Sequence, residues 1–253
     1  EVNQARGIEK TSGPLGQGHT FAVGAAIAAK FLAAHTGNKS FEKEKIYTYI
    51  SDGGIQEEIS QGAGRLAGYL GLDNLVMFYD SNGIQLSTTC EDVSAEDTAM
   101  KYRAWNWNVL EIDGNDCEAI RGALLAAHEE HNRPTLIIGK CVMGKGCLRA
   151  DGTSYENDCG THGCALGEGA YENTIKNLGG NPGNPFVVWK ETETLYAERK
   201  LELKELVAQR KKEENEWAAA NPEKARKLED WFANRLPEID WETIEQKPGK
   251  ATR

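Results

Sequence analysis

The sequence predicts an α/β fold: a doubly wound parallel sheet followed by a charged helical connector. Two observations carry that prediction for the sheet. Short apolar runs recur at 46–50, 75–79, 108–112 and 135–138, each bounded by turn residues, and stretches with helical spacing separate them. Strands that alternate with helices at this interval build βαβ units. A third observation separates the connector: beyond Thr192 the apolar runs stop and charged residues dominate. Gly179-Gly180-Asn181-Pro182-Gly183-Asn184-Pro185 marks the boundary, giving a first domain over 1–178 and a connector over 179–253.

In chain order, Gly7 to Ser12 shows no periodicity and leads into Gly13-Pro14-Leu15-Gly16-Gln17-Gly18. Three glycines and a proline within six residues suit a tight loop held close to something flat. No strand precedes the loop, so it is not a dinucleotide fingerprint. His19 to His35 reads as an alanine-rich helix (Phe21, Ala25, Ala28, Ala29, Leu32) able to pack closely on the sheet. His19, at its start, could contact a ligand, but a histidine at a helix end is more often a surface or capping residue, and that is the role expected. A strand follows over Ile46–Ile50, then a helix over Ile55–Leu70 with Ile59 and Leu66 facing inward and Glu57 and Glu58 in its first turn, where negative charge favours the helix dipole. Leu75–Tyr79 is the next strand. Ser94-x-x-Asp97 reads as a capping box for a helix to about Arg103. Asn108–Ile112 is a strand, Ile120, Leu124 and Leu125 mark an amphipathic helix, and Thr135–Ile138 is a buried strand. From Met143 to Gly167 the pattern gives way to a long polar loop containing His162, and loops of that length are usually functional or disordered. Asn221-Pro222 reads as an N-cap and first helical residue, with Leu228, Trp231 and Phe232 as the apolar face.

Composition bounds the function classes. With 253 residues the chain can bury a substantial core. Lys and Arg number 29 against 39 Asp and Glu, a net charge of −10, which argues against nucleic acid and anionic membrane as partners. No apolar run approaches the ~20 residues a membrane span requires, so a soluble, cytoplasmic protein is expected. The start on Glu1 and the end on Arg253 suggest a fragment or a processed chain. The six cysteines lack the density of a secreted scaffold and contain no Cys-x2-Cys pair, so free thiols are expected rather than structural zinc.

The chemistry concentrates in Ser51-Asp52-Gly53-Gly54-Ile55-Gln56-Glu57-Glu58 and, 30 residues after Asp52, Asn82 in Tyr79-Asp80-Ser81-Asn82-Gly83-Ile84. Each follows a strand directly, so Asp52 and Asn82 emerge at strand C-terminal ends, where an open parallel sheet binds ligands. A carboxylate, an amide oxygen and the Ile84 carbonyl form the incomplete hard oxygen set that magnesium takes alongside phosphate and water. Gly53-Gly54 allows close backbone approach, and the amides opening the next helix face an anion. Taken alone, the same residues also suit ordinary turns.

With these motifs in order, the chain resembles the transketolase family over essentially its whole length. Asp52 to Asn82 is similar to the thiamine-diphosphate signature, Gly-Asp-Gly followed about 30 residues later by Asn, with Ser51 in place of the first glycine. Gly13 to Gly18 resembles that family's Gly-Pro-Leu-Gly-Gln-Gly loop, and Phe78 to Ile84 its Phe-Tyr-Asp-Asp-Asn-Gly-Ile. Asp97-Thr98-Ala99-Met100 is a looser match.

The resemblance implies thiamine diphosphate as cofactor with Mg²⁺, calcium being an acceptable substitute. Asp52, Asn82 and the Ile84 carbonyl would hold the metal. Gly13, Pro14 and Leu15 would meet the aminopyrimidine, and Gly53, Asn82 and His162 the diphosphate. His162 would also contact the donor sugar, Glu57 would be a buried glutamate near the subunit contact, and Arg253 would bind substrate phosphate. Cys159 stands where the family has a histidine. Implied with these are sugar-phosphate substrates, a homodimer sharing its active sites, and reversible transfer of a two-carbon ketol group. Dihydroxyacetone synthase, or a non-catalytic subunit that kept the fold, is the alternative.

Overall fold

The structure, a computed structural model, describes residues 3, 10–244 and 249. The elements run α1 (Gln17–Thr36), α2 (Lys39–Glu42), β1 (Ile46–Ser51), α3 (Asp52–Gln56), α4 (Glu58–Leu70), β2 (Leu75–Ser81), α5 (Thr98–Ala104), β3 (Asn108–Asp113), α6 (Cys117–Glu129), β4 (Thr135–Lys140), α7 (Ala170–Asn177), α8 (Lys190–Ala220) and α9 (Pro222–Phe232). All four expected strands form, and they pair in parallel in the order β1-β2-β4-β3. The chain divides into two compact units, Glu1–Ala197 and Glu198–Arg253, at a point inside α8.

Side-chain alternation explains why helices cover both faces of the sheet. Leu75, Met77 and Tyr79 of β2, with Leu136 and Ile138 of β4, point into one buried cluster with residues of α1, α4 and α5. Val76 and Ile137 point the other way, against Ala123 and Ala127 of α6. Central strands buried on both sides read as continuous apolar runs, as these do. Each fully buried aliphatic side chain contributes roughly 2 kcal/mol.

The helical faces depart from expectation. His19 is 1% exposed rather than superficial, and α1 turns Ala22, Val23, Ala26, Ala29 and Ala33 inward while Phe21 is 49% exposed. The expected Ile55–Leu70 helix is two helices, broken at Glu57, whose backbone is extended at φ −62° and ψ 132°. Ile59 and Leu66 lie on the outer surface, and the inner face of α4 is Ser60, Ala63, Gly64, Ala67 and Gly68. Close approach is the reason: a Cβ on Gly68 would stand 1.7 Å from the Trp105 carbonyl oxygen, and one on Gly64 3.2 Å from the Trp105 ring. Only glycine lets the buried Trp107 bring its indole N–H to the Gly64 carbonyl, at 2.8 Å.

Smaller corrections have equally local causes. Asp97, not Ser94, caps α5, accepting from the Met100 amide at 2.8 Å, whereas the Ser94 hydroxyl accepts from the Glu96 amide. Leu125 of α6 is exposed, and Ala123 and Ala127 are the residues that fit against the sheet. Asn221 occupies the N-cap of α9, but its side chain donates back to the Trp217 carbonyl at 2.9 Å. In α9 Leu228 is buried, while Phe232 is 70% exposed. No helix among the described residues is long and apolar enough to cross a membrane.

Candidate functional site

Register places the strand ends in one row. Ser51 stands beside Asp80, Asp80 beside Gly139, and Gly139 beside Ile112, so the loops leaving β1, β2, β4 and β3 share one edge of the sheet. Asp52 opens α3 directly after β1, with Ser51 as its cap: the Ser51 hydroxyl accepts from the Gly54 amide at 3.3 Å. Ser51 has φ −97° and ψ 174°, a conformation any residue adopts, so serine replaces the signature's first glycine without strain. The helix therefore starts at Asp52 rather than near Ile55.

The Asp52 carboxylate is 2% exposed and its two oxygens have different partners. Oδ1 accepts from the Tyr79 hydroxyl at 2.6 Å. Oδ2 accepts from the backbone amides of Asn82 at 3.1 Å and Gly83 at 3.2 Å. Asn82 in turn accepts from the Ile84 amide through its side-chain oxygen at 3.0 Å and donates to Asp80 at 3.3 Å. Gly83, with φ 74°, makes the turn that allows this. The hydrogen bonds framing the Ile84–Thr89 bridge run from the Gln85 amide to Thr88 and from the Cys90 amide to Gly83, so the Ile84 carbonyl stands outside them. Burial, and then the Asp52 carboxylate, raise the Tyr79 hydroxyl well above its usual range and push the Cys90 thiol up to about 11. Cys141 is likewise pushed up to about 11, by burial and by Asp80. All six cysteines are free thiols.

A cleft of about 330 Å³ opens beside this constellation, lined by Pro14, Leu15, Gly16, His19, Ser51 and Asp80 among others. Leu15 leans on α3: its Cδ1 is 3.2 Å from where a Cβ on Gly53 would sit. Within the loop, Gly16 is the glycine that the geometry demands. It has φ 78°, and a Cβ there would meet Glu57 Cβ at 3.0 Å, whereas a Cβ on Gly13 would meet open space.

The structure thus brings together Asp52, Asn82, Gly83 and Ile84, and brings Leu15 against Gly53. Tyr79, quoted in sequence as a strand residue and within the 78–84 motif but given no role at the site, is the missed member, and its pairing with Ile50 in register is what sets it beside Asp52. His162 lies in the 143–167 loop, half-buried, with its amide on the Cys159 carbonyl at 3.0 Å. Among the described residues its Nδ1 has no hydrogen-bond partner, and no hydrogen bond joins it to Asp52 or Asn82. Glu57 is exposed in this single chain, at the break between α3 and α4. Arg253 lies outside the described residues.

These residues fit a divalent cation and a diphosphate by their chemistry. Asp52 is a buried carboxylate that, among the described residues, is held by neutral donors rather than by a cationic side chain. Burying such a charge is costly unless it is compensated. Three hard oxygens, from Asp52, Asn82 and Ile84, are the donor types magnesium accepts while keeping water and phosphate.

Residues 1–237 match the family model described as transketolase, thiamine diphosphate binding domain. Among curated relatives, transketolase 2 of Vibrio parahaemolyticus is 39% identical over 249 residues, covering 96% of this chain and 36% of the relative. Dihydroxyacetone synthase of Pichia angusta is 34% identical over 241 residues, covering 94% of this chain and 33% of the relative. Among solved structures, a Pichia stipitis transketolase in complex with sedoheptulose 7-phosphate superposes with a TM-score of 0.83 at 30% identity, covering 95% of this chain and 36% of that one. The chain spans about a third of the length of these relatives.

Proposed function

The chain belongs to the transketolase family through its thiamine-diphosphate-binding domain, and on that premise we propose that it holds the diphosphate and metal of an enzyme that moves a two-carbon ketol group between sugar phosphates. The observation that carries this reading is the meeting of the Asp52 carboxylate with the 82–83 turn at the sheet edge, beside the cleft under the glycine loop. In it, residues 1–178 form the binding domain and 179–253 the connector. Asp52, the Asn82 side-chain oxygen and the Ile84 carbonyl hold Mg²⁺, with calcium able to replace it. The backbone at Gly53 and Asn82 meets the diphosphate, while Gly13, Pro14 and Leu15 face the pyrimidine. Thiamine diphosphate supplies the electron sink for cleaving and forming the carbon–carbon bond. The protein's share is to orient that group, exclude water and manage protons: His162, whose Nδ1 has no hydrogen-bond partner among the described residues, serves diphosphate and donor sugar, Glu57 serves catalysis from near the subunit contact, and Arg253 binds substrate phosphate.

We take Phe21, Phe31, Ile59, Leu66, Tyr69 and Leu70, exposed apolar side chains of α1 and α4, as part of the face that a second copy covers in a homodimer, since grouped exposed apolar residues mark interfaces. The setting is the cytoplasm and the pentose phosphate pathway. Ketol transfer from xylulose 5-phosphate to ribose 5-phosphate by the full-length protein, dependent on thiamine diphosphate and Mg²⁺ and lost in Asp52→Ala, tests the proposal; intact transfer in that variant would refute it. The similarity to dihydroxyacetone synthase favours one alternative, a different acceptor preference, and acceptor profiling separates the two.

A further inference from the structure

The glycine loop is fixed at two points on α4, and one of them is a buried polar contact. Gly16 packs against the N-terminal end of that helix, where a Cβ would meet the side chains of Glu57 at 3.0 Å, Ile59 at 3.2 Å and Ser60 at 3.4 Å. Three residues on, His19 places Nδ1 2.6 Å from the Ser60 hydroxyl oxygen. The imidazole is 1% exposed, meets the Trp107 ring edge-on at a centroid separation of 6.1 Å, and leaves Nε2 buried with no hydrogen-bond partner among the described residues.

A neutral imidazole carries one N–H and one bare nitrogen. Whichever tautomer is present, the nitrogen facing Ser60 is satisfied and the other is not, and an unsatisfied buried polar atom works against stability. Stability alone would favour an apolar side chain at this position. What the histidine adds is direction: its bond to Ser60 ties the first turn of α1 to the helix that follows Glu57. On its other side the loop leans through Leu15 on Gly53 of α3. The 13–18 loop is therefore held between the two helices that flank Glu57.

We propose that His19 is a positioning residue for the cofactor: its hydrogen bond to Ser60 sets the depth at which the backbone of Pro14 and Leu15 stands in the cleft. The inference rests on the reading that this cleft takes thiamine diphosphate. Burial holds His19 down to about 4 from its usual value near 6.5, so the clamp is a neutral one at physiological pH.

The test uses the full-length protein with Mg²⁺ and compares Ser60→Ala, His19→Phe, the double variant and His19→Asn. Thiamine diphosphate titrations are read both as binding and as activity, with thermal melts of the cofactor-free protein alongside. Ser60→Ala and His19→Phe are each expected to raise the half-saturating cofactor concentration about tenfold, leaving kcat at saturation within about twofold, because a misplaced loop weakens a contact made equally throughout the reaction. The double variant is expected to be no worse than the worse single one, since both remove one bond. His19→Asn, which can place an amide against Ser60, is expected to return to within about threefold of the parent. Should His19→Phe fail to fold, Ser60→Ala and His19→Asn carry the test. Melting temperatures that fall while cofactor titrations stay unchanged, or additive effects in the double variant, would overturn the proposal. A parent protein that does not bind thiamine diphosphate would overturn the functional reading and this inference with it, whereas binding that is indifferent to Ser60 overturns this inference alone.

Discussion

Asp52 and Asn82 meet through the main chain: Asp52 Oδ2 accepts the Asn82 backbone N–H at 3.1 Å, and the Asn82 side-chain oxygen is turned to the Ile84 amide at 3.0 Å. The carboxylate is thus both a structural acceptor and a candidate ligand, and two substitutions separate those roles. Asp52→Ala strips an acceptor from the Asn82 and Gly83 amides and the Tyr79 hydroxyl, so a loss of about 1–3 kcal/mol in unfolding free energy is expected by denaturant titration. Asp52→Asn keeps the shape and removes the charge. Its expected signature is thiamine diphosphate affinity in the presence of Mg²⁺ weakened by at least about tenfold, equivalent to roughly 1.4 kcal/mol. Calorimetric titration giving parent-like affinity for Asp52→Asn would remove this residue from the metal site.

His162 invites the opposite expectation, because among the described residues its Nδ1 has no hydrogen-bond partner to lose. His162→Ala is expected to leave the melting temperature within about a degree, since substitutions away from buried networks stay near ±0.5 kcal/mol. In the full-length enzyme it is expected to lower kcat/KM for the donor sugar by about 100-fold, the range for a lost proton-transfer or orienting contact. Parent-like kinetics would return this histidine to an ordinary loop residue.

Why some of this was readable before folding and some was not has a physical answer. The four strands and the placement of Asp52 and Asn82 at strand ends are written in apolar runs that need only be counted, and the structure reproduces each run within a few residues. The inward faces of α1 and α4 are written instead in Ala, Gly, Ser and one histidine, which carry little hydrophobic signal. The conspicuous Ile59 and Leu66 pointed the pattern the wrong way round. The close helix-to-helix approach that selects small residues depends on Trp105 and Trp107, some 40 residues downstream of α4's glycines, and no local window contains both. The partnership of Tyr79 with Asp52 was hidden for a related reason, since it depends on the register of β1 against β2.

Burial of His19 makes stability depend on pH. Its ring is held near 4 in the folded chain, against about 6.5 when exposed. Between those values the unfolded chain takes up a proton that the folded chain refuses, so stability rises with pH across that window. The contribution is whole above about pH 6.5 and is lost progressively as pH falls toward 4, on the order of 3 kcal/mol in total. Urea midpoints of the full-length protein measured from pH 7 to pH 4 are expected to fall more steeply for the parent than for His19→Asn. Superimposable curves would mean that the imidazole is solvated when it titrates.

Gly68 provides the sharpest test of how α4 is seated. A methyl group there would be 1.7 Å from the Trp105 carbonyl oxygen and 3.1 Å from the Trp107 ring. The first obstacle is backbone at the end of α5, which no side-chain rotation relieves, so the helix itself must move. Moving α4 outward would stretch the 2.8 Å bond from Trp107 to the Gly64 carbonyl and draw Ser60 away from His19. Overpacking of this kind costs about 3 kcal/mol or more, far beyond the gain of up to ~1 kcal/mol that alanine offers over glycine in a helix. Gly68→Ala is therefore expected to lower the urea midpoint markedly and, in whatever fraction folds, to weaken thiamine diphosphate binding. Gly62→Ala in the same helix is the control. A Cβ there meets nothing closer than the Arg65 guanidinium at 4.0 Å, so helix propensity alone decides its sign, and stability is expected to hold or rise. Equal effects at the two positions would show that α4 is not seated against the Trp105 backbone.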